Sequence, residues 1–147
     1  MAFPRASHAH VAVRVALVAV ELFIGVGAVY GGTMLIRDSW ALPVTDLEPL
    51  PLDSWVLPGA ALLASVAAPM LSAAILVARR HPHAADLSIA AGAALVGWIL
   101  FRLAVIGPQM GLQAAMLVLG AGTAALGLLL RRQEPRRSPA GQLSAKR

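Results

Sequence analysis

The chain has 147 residues, the length of one ordinary domain, with 59% hydrophobic and 13% charged residues and a formal net charge of +5. Charged residues make up about half of the roughly 25% usual in soluble domains, too few to cover a globule, and the apolar content rules out disorder. The composition is that of a membrane protein, and the absence of Cys excludes disulfides, thiolate metal sites, thiol nucleophiles and dithiol redox chemistry.

A hydrocarbon core about 30 Å thick needs about 20 apolar residues in a helix rising about 1.5 Å per residue. Four runs of that length are bounded by charge, which predicts an all-α, four-helix transmembrane bundle in a single membrane domain over 1–132. Each run is apolar on nearly every side, as a helix in lipid should be.

The first predicted span covers 15–36, with Arg5 and Arg14 before it. It carries Glu21, an ionisable group that costs about 3 kcal/mol inside a bilayer on insertion scales and therefore needs a partner or a task. Steps of three and four place Leu17, Gly25, Ala28 and Gly32 on its face, so Glu21 is expected to point into the bundle. It serves there either as a proton or cation site or as a carboxyl that fixes packing. A cleaved signal peptide ending at Val26-Gly27-Ala28 is a rival reading, opposed by Glu21 in the apolar core and by the apolar run that continues beyond it.

Residues 37–55 are long for a hairpin and contain Pro43, Pro49 and Pro51, which excludes a continuous helix. Leu42, Val44, Leu47, Leu50 and Leu52, bracketed by Trp40 and Trp55 at aromatic-belt depth, predict a cap over the helix ends. Asp38, Asp46, Glu48 and Asp53 lack the glycine and the spacing of a calcium loop.

The second predicted span, 56–78, holds Pro69 in mid-span, a candidate kink that removes a hydrogen bond to the Ser65 carbonyl; Ser65 or Ser72 is expected to satisfy the freed group. The third, 87–106, holds Arg102, the only basic residue well inside a span and the natural partner to weigh for Glu21. Counted from the basic end, Arg102 lies about 22 Å deep and Glu21 about 9 Å, a gap of about 13 Å that exceeds comfortable reach. Asp38, Glu48, headgroups, Gln109 and Gln113 are its other options, and Trp98 lies one turn away for stacking. The fourth, 112–130, places Gln113 on a face with Leu117, Gly120 and Ala124, which suggests an interhelical hydrogen bond. Small-residue steps at Gly27/Gly31, Ala60/Ala64/Ala68, Ala93/Gly97 and Gly120/Ala124 support a compact bundle, though such spacing is common by chance in an alanine-rich chain.

Ten of the twelve basic residues fall on the side shared by both termini, which the positive-inside rule assigns to the cytoplasm, giving N-in/C-in with an extracytoplasmic loop between the first two helices. The charge then reports topology and not nucleic-acid binding, while the basic tail 133–147, expected to be disordered, suits anionic lipid headgroups. His8/His10 and His81/His83 share that side, but alternate residues point apart and the first pair sits in a floppy N-terminus, so no metal and no cofactor is expected.

The stretch PLPLDSWVLPGAALL, with Pro58-Gly59 opening the second helix behind a glycine-rich first helix, resembles a pattern in uncharacterised actinobacterial small four-helix integral membrane proteins. That resemblance implies the fold over about residues 20–125 and no activity. VELFIGVGA is similar to the glutamate-bearing first helix of small multidrug resistance transporters, which have short loops throughout, unlike the segment 37–55. With no nucleophile elbow, phosphate loop, HExxH or paired catalytic carboxylates, the expected protein is no enzyme. It is instead a scaffold or accessory subunit of the cytoplasmic (plasma) membrane, whose partners are the lipid bilayer and another membrane protein or a second copy. The competing expectation is a small proton- or cation-coupled transporter centred on Glu21.

Overall fold

The computed structural model describes residues 5–38, 41–43, 47, 52–107 and 111–133, and it is all helical over the four expected runs. Helix α1 is Arg5–Ile36, α2 is Val56–Ala78, α3 is Ala84–Ile106 and α4 is Leu112–Gln133. All four are long and apolar enough to cross a membrane. Their ends match the sequence reading except at the basic end, where α1 starts ten residues earlier, α3 starts three residues earlier and α4 ends three residues later than the apolar runs suggest. Backbone hydrogen bonding carries a helix on through Arg14 and His10, which can live in the interface. The first histidine pair therefore lies on a helix rather than in a floppy N-terminus. Trp40, Val44, Asp46, Glu48, Leu50, Gln109 and the tail from 134 onwards lie outside the described residues.

The helices form a ring in chain order, each antiparallel to the next, with α1–α2 and α3–α4 as the tight pairs. In the first pair, a Cβ on Gly25 would sit 2.7 Å from Leu71, and one on Gly59 would sit 2.8 Å from the Gly32 carbonyl. In the second, a Cβ on Gly92 would sit 2.7 Å from both the Ala124 nitrogen and the Gly120 carbonyl. Backbones approach this closely only where glycine leaves room, the usual source of helix association in lipid.

Gly120 packs inward as expected. Three of the expected small-residue steps do not pack this way. Ala60, Ala64 and Ala68 are exposed, as are Ala93 and Gly97, and a Cβ on Gly27 or Gly97 would meet nothing within 4 Å. Ala60/Ala64/Ala68 keeps one outward face by an unusual route. A step of four advances about 40° around an α-helix, so such a stripe should drift. A π turn at Leu63–Ala67, in which the Ala68 N–H reaches back to the Leu63 carbonyl, widens the helix and offsets that drift. Pro69 follows this wide turn directly, and the Ser65 hydroxyl donates to Ala61 O at 2.6 Å, one turn back, instead of turning to the group freed by proline.

The turns show where backbone conformation overrides residue preference. Arg80 ends α2 at φ 55, with His81 N donating to Leu76 O and Arg80 N to Val77 O, the pairing that usually places glycine at this position. Among the described residues of the α3–α4 turn, the positive-φ sites are both glycine, Gly107 and Gly111. Between α1 and α2, Leu47 and Trp55 are buried and Leu52 is half-buried, which fits a cap over the helix ends. Trp55 is buried, and its Nε1 donates to Leu42 O at 3.3 Å.

Candidate functional site

Glu21 is fully buried on α1, and its face is the one expected, since Leu17, Gly25, Ala28 and Gly32 are buried with it. It separates two apolar clusters. Leu17, Val77, Ala84, Ala85 and Leu130 lie toward the basic end, and Ile24, Val66, Met70, Ala91 and Leu95 lie beyond it. Across from Glu21, Ser88 of α3 interrupts the same succession between Ala85 and Ala91. Thr123 of α4 stands at a similar level, because its neighbour Ala124 packs on Gly92, one turn from Ser88. The three form a thin polar layer, all fully buried.

The layer is incompletely bonded. The Ser88 hydroxyl lies against the Glu21 carboxyl but donates to Ala84 O at 3.0 Å, and Thr123 donates to Leu119 O at 2.8 Å. Both protons return to their own helices, a common use of Ser and Thr in membrane spans. Neither Glu21 oxygen has a hydrogen-bond partner of good geometry. Such an orphaned group in a native interior calls for an explanation in strain or function.

Arg102 does not supply the partner. Glu21 stands level with Ser88, and Arg102 lies fourteen residues further along the same helix, which separates the two levels by about 21 Å. The sequence-based gap of about 13 Å was smaller because the span ends were set by hydropathy and not by contact. Arg102 is half-buried in the opposite half of the bundle, where it lines two cavities of about 300 and 330 Å³. Leu35, Leu62 and Trp98 line both as well, so Arg102 stands at the wall they share. No hydrogen bond or ion pair to Arg102 occurs among the described residues. The aromatic neighbour of Trp98 is Phe101, at 6.3 Å between ring centres.

Gln113 is buried at the edge of the second cavity, and its Nε2 donates to Gly107 O at 3.4 Å. This bond ties α4 to the turn after α3. At the basic end, sequence reasoning missed a polar latch. Arg14 Nε donates to His10 Nε2 at 2.9 Å, and Arg14 Nη1 donates to Val77 O at 3.1 Å. Arg14 can only donate, so the His10 ring hydrogen is on Nδ1, which faces Gln133 Oε1 at 3.1 Å. The i, i+4 spacing of His10 and Arg14 was the available signal. Arg131 and Asp86 add an exposed ion pair at 3.6 Å between α4 and α3. His81 and His83 are exposed neighbours, and among the described residues no three metal-ligating side chains gather.

No protein-family model, no curated protein and no solved structure matches this chain.

Proposed function

We propose that the chain is a small, non-enzymatic accessory or scaffold protein of the cytoplasmic membrane that works by helix contacts with a second membrane protein or a second copy. The observation that carries this reading is the outward placement of small residues. Ala60, Ala64 and Ala68 on α2, and Ala93 and Gly97 on α3, are exposed while other glycines hold the bundle together. In lipid, where apolar burial between helices gains little, such stripes let a neighbouring backbone approach closely.

Mild crosslinking in the native membrane followed by purification tests this. A crosslinked partner or oligomer is expected, and Gly97→Leu should abolish it without lowering thermal stability. Recovery of the protein alone would overturn the reading.

The second reading, a proton- or cation-coupled transporter, is favoured by the buried, partnerless carboxyl of Glu21. Transport requires water to reach that carboxyl, and Glu21 lines neither of the Arg102 cavities nor the cavity of about 440 Å³ beside Arg14 and Leu22. Glu21→Gln keeps size and hydrogen-bonding capacity but cannot titrate. Under the accessory reading it behaves as wild type. A folded Glu21→Gln protein that loses pH-dependent flux in proteoliposomes would establish the transporter instead.

A further inference from the structure

The geometry points to a binding site for a single-chained anionic amphiphile in the half of the bundle opposite the latch, with its head on Arg102 and its chain along the adjoining cavities. Among the described residues, Arg102 is the one charged side chain that lines either cavity. A guanidinium set among Leu, Trp and Phe side chains needs a counter-charge, because a low dielectric penalises an unpaired ion. Among the described residues none supplies it: no ion pair to Arg102 occurs there, Glu21 is about 21 Å away along α3, and Asp38 and Asp53 are exposed.

Snorkelling to bulk headgroups is the simpler fate for an Arg near a helix end. Here, however, the side chain is half-buried and lines both cavities, joined in the first by Leu47, Leu52 and Trp55. The planar fork of Arg matches carboxylate and phosphate oxygens two at a time, which defines the head. Apolar walls define the tail. Each cavity, at about 300 and 330 Å³, is at the small end of ligand sites, which favours one acyl chain over two.

Entry from the bilayer is open on both sides. Leu57 and Phe101, at 59% and 53% exposure, flank the first cavity at the α2–α3 seam, and Tyr30 and Leu112 flank the second at the α1–α4 seam. A chain can therefore slide in without leaving hydrocarbon.

Trp55 and Trp98 line the first cavity and give a direct readout. In a Trp40→Phe background in phosphatidylcholine nanodiscs, dibromostearate should quench tryptophan fluorescence saturably. Oleate should displace it about tenfold better than oleyl alcohol, the discrimination expected of one charge-assisted contact. Arg102→Gln should erase that preference. Ala61→Phe and Gly27→Leu narrow the first and second cavities while keeping the cation, and at least one should weaken quenching. Displacement by lysophosphatidylglycerol as good as that by oleate would assign phosphate heads to the site as well. Equal displacement by oleate and oleyl alcohol, an unchanged preference in folded Arg102→Gln, no effect of either cavity variant, or equal displacement by two-chained phosphatidylglycerol would each overturn the proposal.

Discussion

Glu21 is enclosed on every side, yet neither of its oxygens is hydrogen-bonded, and the nearest hydroxyl protons are directed to backbone carbonyls of other residues. Burial of a polar group without a partner costs about 1–3 kcal/mol, so removing it should help the fold. Glu21→Met, of similar length and wholly apolar, is expected to raise the thermal midpoint in detergent by a few degrees, measured by tryptophan fluorescence or circular dichroism. A drop of several degrees would mean that the carboxyl holds helices together through contacts of its own. The inward orientation of Glu21 was legible in the sequence, because the small residues at steps of three and four define a face whatever the packing partner. Its relation to Arg102 was not. Depth along a helix can be compared between spans only when their levels are matched, and here the match comes from Ser88 on a different helix.

At the scale of the helix, α3 offers two glycines five residues apart with opposite surroundings. A methyl group on Gly92 would meet backbone atoms of α4 at 2.7 Å, which cannot move aside without parting the helices, whereas one on Gly97 would enter open space. Gly92→Leu should therefore lower the thermal midpoint sharply or prevent folding, while Gly97→Ala should leave it unchanged or slightly higher, since alanine favours a helix by up to about 1 kcal/mol over glycine. Equal effects at the two positions would show that the α3–α4 pair is packed through a different face. The sequence motif selected Ala93 and Gly97 and passed over Gly92. In a soluble helix, polar residues would have marked the outer face. In lipid both faces are apolar, so spacing shows that small residues recur but not which way they point. The four spans were legible for the same reason: unbroken apolar length bounded by charge survives any rotation of the helix. The π turn at Leu63–Ala67 left no compositional trace.

The whole molecule is electrically lopsided in a way that predicts how it sits in a membrane. The chain ends of α1 and α4 meet, as the approach of His10 to Gln133 shows, and Arg14, Arg79, Arg80, Arg131 and Arg132 cluster at that end. Among the described residues, the other end has only Arg37 and Arg102 as basic side chains. Translocation of Lys and Arg in short loops is disfavoured, and the bias is strongest within about 15–20 residues of span ends, so the latch end should remain in the cytoplasm. That orientation would place the Arg102 cavities in the outer half of the bilayer and Glu21 in the inner half. Fusions of a periplasm-active and a cytoplasm-active reporter after Glu48 and after Arg137 measure it directly: the first site should read external and the second internal. Replacing Arg79 and Arg80 with Gln while adding two Lys beside Asp53 should reduce external signal at Glu48, because it moves positive charge to the opposite end without altering any apolar run. A cytoplasmic reading after Glu48 in the unmodified chain, or an external one after Arg137, would invert the assignment of both polar sites to their leaflets.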